Sequence, residues 1–350
     1  MDFKRAAIGL GFDAFRASGL HRLAGPALRG EGVLLTLHHV RPWRFGIDSF
    51  RPNRLLEIAP AFLDELLASV RRLGFDLVTI DEALRRLGEG GRPFAALTFD
   101  DGYRDLAEHA LKVLERHEAP FAAYVTTGFA DRTARLWWRE LEESIRRLER
   151  VTIARPGLSI DLKTASLGQK AAAFNQIYWA LRAGAEQRLL DVVSDLAAEA
   201  RLDPAGLVIE HCMDWSEVVA LSRHPLATIG AHAVTHRMLA KWPLAIAREE
   251  MAQSRREIEA RIGKPIRHFA FPVGDPTSAG RREFELAREL GFASAVTTRP
   301  GMLFSEHALH ATALPRLSIN GCWQDIRAIE VLLSGAPFAL WNRGRRLNVA

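Results

Sequence analysis

The sequence is poor in cysteine and has no long hydrophobic run. Its 350 residues include only Cys212 and Cys322, too few and too far apart for a disulfide framework or a cysteine-rich zinc site. The longest stretch without a charged residue extends only from His224 to His236, short of the roughly 18 apolar residues that span a bilayer. We therefore expect reduced thiols and no transmembrane helix.

The N-terminus lacks the features of a secretory signal. The apolar run from Ala6 to Phe12 is followed by Asp13 and Arg16 and by no small-residue cleavage site, which predicts a cytoplasmic protein. Residues 1–31 form a basic, partly amphipathic N-terminal segment, and residues 331–350 form a basic C-terminal tail. Both leave open a peripheral contact with an anionic membrane surface.

An excess of one charge and several catalytic signatures are also missing. The 47 Lys and Arg residues face 42 Asp and Glu residues, and the two signs are interleaved, as in Arg248 to Arg261, so nucleic-acid binding is not indicated. There is neither a Gly-Lys-Ser/Thr phosphate loop nor a Gly-x-Ser-x-Gly elbow, so nothing supports nucleotide hydrolysis or serine-hydrolase chemistry. With 48% hydrophobic residues, the composition is that of a globular protein.

From about residue 32, short apolar runs alternate with helical patterns, which is typical of a mostly parallel α/β architecture. The predicted strands are Val33–His38, Leu77–Ile80, Phe94–Phe99, Phe121–Val125, Ala227–Ala231, His268–Phe271 and Ala293–Thr297. Apolar residues at helical spacing predict helices over Arg104–His117 and over Pro243–Ile262, the second ending at Gly263.

The segment from about 131 to 213 breaks this alternation. Residues Trp137–Arg150 and Gln169–Ala200 are predicted to form successive amphipathic helices, and no clear strand follows until Leu207–Ile209. We interpret the segment as a helical insertion. The segment contains two pairs of adjacent aromatic residues, Trp137-Trp138 and Tyr178-Trp179. Two interpretations of these pairs are open: they line a sugar-binding wall, or they belong to the helix core.

The strongest motif is a strand that leads directly into two carboxylates. The apolar run from Ala96 to Phe99 is followed by Asp100, Asp101 and Gly102. Functional sites in α/β proteins form at the carboxyl ends of strands, where two adjacent acids can hold a metal ion and a proton separately. The alternative is an ordinary turn in which an aspartate caps the next helix.

A histidine pair follows a later strand. His232 and His236 are four residues apart, a spacing that lets two imidazoles face one ion, and imidazole suits zinc, nickel or cobalt better than magnesium or calcium. With Asp101 they form a set of two histidines and one carboxylate, which leaves Asp100 free to act as a base. The combination indicates metal-assisted hydrolysis of an amide or an ester.

A third motif ends the strand before Asp275. Pro272, Val273 and Gly274 form a turn that exposes backbone N–H groups, and one of them, for example that of Val273, could stabilise an oxyanion. The alternative is a plain turn at the end of a strand.

These three motifs, in this order, resemble the polysaccharide deacetylase family with the NodB homology domain, carbohydrate esterase family 4. The family's Thr-Phe-Asp-Asp-Gly motif stands unaltered at Thr98–Gly102, and its His-Ser/Thr-x-x-His motif appears with Ala233 where Ser or Thr is usual. The resemblance implies one domain over residues 32–330, a distorted (β/α) barrel of about seven strands interrupted by the helical insertion. It also implies a site at the carboxyl ends of the strands.

The resemblance assigns roles to residues. It implies that Asp100 is the general base and that three residues bind the divalent metal, namely Asp101, His232 and His236. In the third motif Ala270 and Val273 replace the family's Arg and Tyr. One hypothesis is that the task of that Arg, orienting the catalytic Asp, falls instead to Arg316, which we expect just after a late strand. The alternative for Arg316 is an ion pair at the surface.

A deacetylase also needs an acid for the departing amine, and histidine suits this role near neutral pH. The segment Leu35–Val40 is similar to an early Leu-x-Tyr-His segment that supplies this acid in family members with such a third motif, which favours His38. His39 faces the other way on a strand. His307 and His310, near the family's late histidine motif, are the alternatives.

The sequence therefore predicts a cytoplasmic, metal-dependent hydrolase that removes N-acetyl groups from a sugar, an oligosaccharide or a polysaccharide. Zinc is the expected metal, with cobalt, nickel or manganese as alternatives. A second hypothesis is hydrolysis of another C–N bond, such as a formamide on a lipid-linked sugar or a non-sugar amide. A third, of another class, is a carbohydrate-binding protein that has lost catalysis.

Overall fold

The structure is a computed structural model that describes residues 27–42 and 50–349, together with residues 11, 13, 15–19 and 25. The predicted N-terminal segment, residues 1–31, therefore lies largely outside the described residues. None of the helices in the described ranges combines the length and the hydropathy that crossing a bilayer requires.

The described part of the chain forms a closed parallel barrel with small additional strand pairs. In chain order the strands are β1 (Gly32–Leu37), β2 (His39–Val40), β3 (Glu57–Ile58), β4 (Asp76–Leu77), β5 (Phe94–Phe99), β6 (Phe121–Val125), β7 (Arg150–Arg155), β8 (Leu158–Lys163), β9 (Ala227–Ala231), β10 (His268–Ala270), β11 (Ser294–Pro300) and β12 (Leu314–Ser318). Seven strands close the barrel in the order β1-β12-β11-β10-β9-β6-β5, with β5 pairing back onto β1. The predicted barrel of about seven strands is confirmed.

The barrel strands are apolar runs because both of their faces are covered. All residues of β1 and β5 are buried, and the two strands pair in parallel from Gly32 opposite Phe94 to Leu37 opposite Phe99. Gly32 is required here, since a side chain at this position would come within 2.5 Å of the Phe94 ring. Parallel closure brings the carboxyl ends of all seven strands to one end of the barrel.

Helices cover the barrel and fill the insertion. They are α1 (Pro60–Arg72), α2 (Ile80–Arg86), α3 (Leu111–Arg116, continuing a π-helical turn over Leu106–Ala110), α4 (Thr127–Ala130), α5 (Trp137–Arg147), α6 (Leu167–Ala183), α7 (Glu186–Glu199), α8 (Pro204–His211), α9 (Trp215–Ser222), α10 (Leu244–Ile262), α11 (Arg281–Glu289), α12 (Ile326–Leu333) and α13 (Ala336–Trp341). Short 3₁₀ segments span Pro52–Leu56, Leu239–Lys241 and Ser305–Ala313. The predicted C-terminal tail thus includes α13, whose Phe338 is buried.

Most predicted elements are confirmed at or near their predicted bounds. Strands β5, β6 and β9 match exactly the residues predicted, and α10 ends at Gly263 in the left-handed conformation with φ 68°. The strand predicted over Leu77–Ile80 is confirmed only at Leu77, the last residue of β4, and the prediction is wrong for the three residues that follow. Thr79 caps α2 there, its side chain accepting a hydrogen bond from the Glu82 N–H, so the chain turns into a helix instead.

The insertion differs from the prediction in two places. Strands β7 and β8 form an antiparallel hairpin that the periodicity did not indicate, with Val151 and Ile153 buried on one face and charged residues on the other. The strand predicted at Leu207–Ile209 is wrong, because these residues lie in α8. Pro204 at the first turn favours a helix, and only Val208 of the three apolar residues is buried.

Candidate active site

A cleft of about 640 Å³ opens at the carboxyl end of the barrel, and we call it the barrel-end cleft. Its floor carries residues that follow four different strands: His38 after β1, Asp100 and Asp101 after β5, His232 after β9 and Val273 after β10. The predicted site residues that are far apart in the sequence are thus brought to one place.

Asp101, His232 and His236 form a buried cluster in this cleft. The Oδ1 atom of Asp101 lies 3.2 Å from the Nε2 atoms of both histidines. Asp101 and His236 adopt left-handed conformations, with φ 70° and 59°, which turn their side chains back over the barrel end. The second ring nitrogen of His232, Nδ1, lies 2.7 Å from the Ala270 carbonyl oxygen.

The donor set of this cluster fits a divalent cation. Because a carbonyl only accepts, His232 Nδ1 must carry a proton, and in the neutral ring Nε2 then presents a lone pair to the Asp101 carboxylate. Two acceptors at 3.2 Å repel each other unless a positive charge lies between them. Asp101 Oδ1 is fully buried and has no hydrogen-bond donor among the described residues, which leaves it available as a ligand. A backbone carbonyl on the outer nitrogen is the usual arrangement for a metal-binding histidine.

The loop between the two histidines is held by Glu250, which the sequence analysis did not single out. This buried carboxylate on α10 accepts hydrogen bonds from the backbone N–H groups of Val234 and Thr235 at 2.9 and 2.8 Å, and from the Thr235 hydroxyl at 2.7 Å. Ala233, which lacks the usual hydroxyl, leaves Thr235 as the hydroxyl donor of the loop. The sequence contained one signal for Glu250: this acid falls on the face of α10 that also carries Met251 and Ile258, where an apolar residue is expected.

Asp100 is paired with Arg316 by two hydrogen bonds. Arg316 Nη1 and Nη2 lie 2.8 and 2.6 Å from the two carboxylate oxygens, and Nη1 also donates to the Thr98 hydroxyl at 3.0 Å. Burial raises the pKa of Asp100, but the guanidinium outweighs it, so the pKa lies below its ordinary value. Arg316 comes after β11, the last strand that the sequence predicted, and lies inside β12, a strand that was not predicted. Its burial excludes the surface ion pair.

The four candidate histidines lie in different surroundings. His38 lines the cleft, and burial lowers its pKa despite the nearby carboxylates, so its imidazole is neutral near pH 7. His39 faces away, with Nδ1 2.6 Å from Asp105, as expected for adjacent strand positions. His307 and His310 lie in the 3₁₀ segment that leads into the start of β12, and neither is among the described residues that line the cleft.

The third motif forms a tight turn beside the cluster. Val273 and Gly274 both have left-handed conformations, with φ 61° and 67°. The Thr298 hydroxyl donates to the Val273 carbonyl at 2.7 Å, and the Thr298 N–H donates to the Gly274 carbonyl at 3.0 Å. Within the described ranges the Val273 N–H donates no hydrogen bond, and Val273 lines the cleft. This donor is therefore available to a ligand.

The insertion supplies one wall of the cleft through aromatic side chains. Trp137 stacks on Tyr178 with ring centroids 5.6 Å apart, and Trp138 lies 4.8 Å from the His236 ring. Trp137 and Trp138 are core residues that also line the cleft, which confirms the interpretation as helix core for these two, whereas Trp179 is 60% exposed at the cleft rim. We call this surface of α5 and α6 the aromatic wall.

A family model described as polysaccharide deacetylase matches residues 88–295, more than half of the chain. The chain belongs to the polysaccharide deacetylase family. This match confirms the resemblance given by the motifs, and the matched range contains Asp100, Asp101 and both clustered histidines. A search of curated proteins finds no match.

Several solved structures share this family member's fold. IcaB from Ammonifex degensii is 17% identical, with a TM-score of 0.54 over 87% of this chain and 97% of its own. The Streptococcus pyogenes deacetylase PplD in complex with acetate is 14% identical, with a TM-score of 0.53 over 86% and 96%. A de-N-acetylase from Aggregatibacter actinomycetemcomitans is 12% identical, with a TM-score of 0.51 over 86% and 99%. At such identities the likeness concerns the fold.

Proposed function

We propose that the protein is a metal-dependent carbohydrate N-deacetylase. The observation that carries this proposal is a buried carboxylate, Asp100, kept ionised by Arg316 directly beside the buried cluster of Asp101, His232 and His236. A base next to a metal site, at the end of a cleft, is the arrangement that hydrolysis of an unactivated amide needs.

The three clustered residues would hold the cation, with zinc first and cobalt, nickel or manganese as alternatives. When bound there, a divalent cation would supply Lewis acidity for the amide carbonyl and would lower the pKa of the attacking water. Asp100 accepts the proton of that water, and Arg316 fixes the direction of its carboxylate. The Val273 N–H donates to the carbonyl oxygen as negative charge develops on it.

His38 then delivers a proton to the leaving nitrogen. Attack by water forms a C–O bond, and collapse of the tetrahedral intermediate breaks the C–N bond, giving acetate and an amine. Because burial lowers the pKa of His38 and favours the neutral imidazole, His38 is able to take up the proton that Asp100 removes from water. His38 therefore acts as a relay between the base and the nitrogen.

The substrate class follows from the shape and the lining of the cleft. Trp179 of the aromatic wall lines the cleft and is exposed, and aromatic faces stack on the apolar faces of sugar rings. The fold is shared with a deacetylase in complex with acetate, the acid that this reaction would release. We therefore propose an N-acetylated sugar, oligosaccharide or polysaccharide as substrate.

The test is acetate release from N-acetylglucosamine oligomers by purified protein that is stripped of metal and then refilled with zinc or cobalt. Asp100→Asn should keep the bound metal and lose about 10²- to 10⁴-fold in kcat. Asp161→Asn, the same change on the exposed hairpin, is the matched control and should behave like the unaltered protein. Unchanged turnover in Asp100→Asn would exclude the assigned base.

The role of His38 is tested with two leaving groups. An activated aryl acetate releases a phenolate that needs no proton, whereas the amine does. His38→Asn should therefore slow the amide far more than the aryl ester. Equal losses on both substrates would remove His38 as the acid.

The two remaining hypotheses are outcomes of the same assay. Metal binding without acetate release would direct the search to formamides, including those on lipid-linked sugars, and to non-sugar amides. Sugar binding without hydrolysis of any amide would indicate a carbohydrate-binding protein, although the ionised Asp100 beside the cluster would then have no use.

A further inference from the structure

We propose that Arg182, which lies on α6 of the insertion, is a positioning residue that holds the Val273–Gly274 turn in its active conformation. The catalytic consequence rests on the proposed function, because the turn matters for turnover only if the Val273 N–H stabilises the oxyanion. The conformational consequence does not rest on it and can be measured without a substrate.

Arg182 reaches the turn through Asp275, the residue that follows Gly274. The Arg182 side chain is buried, with its Nη2 atom 2.5 Å from Asp275 Oδ2. The other carboxylate oxygen, Oδ1, accepts hydrogen bonds from the Thr277 N–H and the Ser278 hydroxyl, both at 2.9 Å. Asp275 thus uses one oxygen to order its own loop and the other to bind the insertion.

The turn needs external support because of Val273. A β-branched residue with a positive φ is strained, and such a conformation persists only where the surroundings enforce it. On the barrel side, Thr298 holds the carbonyls of Val273 and Gly274 by its hydroxyl and its N–H. On the other side, Arg182 fixes the residue directly after the turn. The turn is therefore clamped between the barrel and the insertion.

The end of α6 is itself fixed to the barrel, so Arg182 acts from a rigid base. Lys241 Nζ donates to the Gly184 carbonyl at 2.7 Å. Glu186, at the start of α7, accepts from the Met238 N–H at 2.9 Å and from the Trp242 indole at 2.5 Å. These contacts tie the junction of α6 and α7 to the segment that follows the histidine loop.

The clamp also links the turn to the substrate wall, because α6 carries cleft residues on the preceding helical turn. Tyr178 and Trp179 line the cleft four and three residues before Arg182, respectively. The aromatic wall and the oxyanion donor are consequently held by one helix. A change that frees Arg182 should loosen the turn while leaving the metal cluster in place, since Arg182 contacts neither Asp101 nor the two clustered histidines.

The experiment compares Arg182→Gln with the unaltered protein by amide hydrogen exchange, metal affinity and steady-state kinetics. We expect faster exchange at the amides of Gly274 and Thr298, which report the turn, and unchanged metal affinity. With substrate, kcat should fall about tenfold while KM stays within about twofold, because a displaced oxyanion donor is lost mainly in the transition state. Arg182→Lys should recover part of the loss.

A second substitution tests the cause. If Arg182 serves to enforce the strained conformation of Val273, glycine at that position should make it dispensable, because glycine adopts a positive φ without strain. The kcat loss caused by Arg182→Gln should therefore be much smaller in the Val273→Gly background than in the native one. An equal loss in both backgrounds would overturn the strain argument.

Arg135→Gln is the matched control. Arg135 also lies in the insertion and pairs with a buried carboxylate, that of Glu140, but it does not contact the turn. Arg135→Gln should therefore leave turnover and amide exchange at the turn unchanged. If both changed as much as in Arg182→Gln, the effects would reflect a general loss of stability, and the proposal would be overturned. If no substrate is hydrolysed by the unaltered protein, the proposed function fails, and the exchange comparison alone decides the role of Arg182.

Discussion

The carboxyl end of the barrel and the insertion contribute to the same cleft in different ways. The barrel supplies ionisable groups that stand within a few residues of a strand end, as Asp100 and His232 do, and backbone pairing fixes where each of them points. The insertion supplies aromatic faces from two helices, and their positions depend on how those helices pack. Reaction chemistry is thus carried by short motifs, whereas the shape offered to the substrate is carried by tertiary packing.

From this difference between the barrel end and the insertion we expect that substitutions at the barrel end change kcat and that substitutions in the aromatic wall change KM. The largest effect is expected for His232→Ala, which should lose both metal binding and turnover, because only two of the three proposed ligands remain. Metal content after dialysis and acetate release measure the two losses. His224→Ala, which removes a half-buried histidine paired with Glu115, is the control and should lose neither.

The next largest effect is expected for Arg316→Gln, because it leaves Asp100 buried without its cation. Removing one partner of a buried ion pair costs about 3–5 kcal/mol, so the free energy of unfolding should fall by that order. The guanidinium lowers the pKa of Asp100 against the effect of burial, so its loss should raise that pKa. The acidic limb of the kcat/KM profile should therefore move to higher pH.

Arg327→Gln, which breaks an exposed pair with Asp325, should change neither the pH profile nor the stability. An acidic limb that stays in place in Arg316→Gln would show that Asp100 does not limit the rate at low pH. The barrel end would then control catalysis through geometry alone.

In the insertion, Trp179→Ala should raise KM about three- to tenfold and leave kcat nearly unchanged, as expected for the loss of one stacking contact. Trp179 is 60% exposed at the cleft rim, so the substitution should not disturb the core. Trp341→Ala removes a similarly exposed tryptophan on α13 and should have no effect on KM. A fall in kcat with constant KM would contradict the division between barrel and wall.

The smallest effect is expected in the hairpin of the insertion. Arg150→Gln breaks an ion pair with Asp161 across β7 and β8, and both side chains are exposed. Exposed pairs contribute little, so neither the melting temperature nor KM should change measurably. A clear change in KM would mean that the hairpin also belongs to the substrate-binding part of the insertion.

The sequence predicted the parts of the molecule whose signals are local. Strands such as β5 are continuous apolar runs, and the residues of the cluster follow them directly, so both could be identified from short windows. The hairpin was missed because Val151 and Ile153 alternate with exposed residues over too few positions to show the period of a strand. The strand prediction at Leu207–Ile209 was wrong because three adjacent apolar residues are compatible with a strand and equally with one turn of a helix, here α8.

The supporting residues could not be predicted because their partners are distant in the chain. Glu250 lies in α10 and accepts hydrogen bonds from the backbone of Val234, 16 residues before it, and of Thr235, 15 residues before it. Arg182 binds Asp275 across 93 residues, and nothing near either residue in the sequence indicates the contact. Arg316 was anticipated only through the family resemblance, and its position inside β12 became evident from the strand pairing.

Closure of the barrel also sets the order in which the site can be assembled during synthesis. The first barrel strand, β1, pairs with the last, β12, and Arg316 on β12 lies 216 residues after Asp100. Until β12 emerges from the ribosome, β1 and β11 are open edges that can pair with other chains, and Asp100 has no cation to accompany its burial. We therefore expect the nascent chain to lack a complete site and to be prone to aggregation until β12 has been made, because this strand both closes the open edges and brings Arg316 to Asp100.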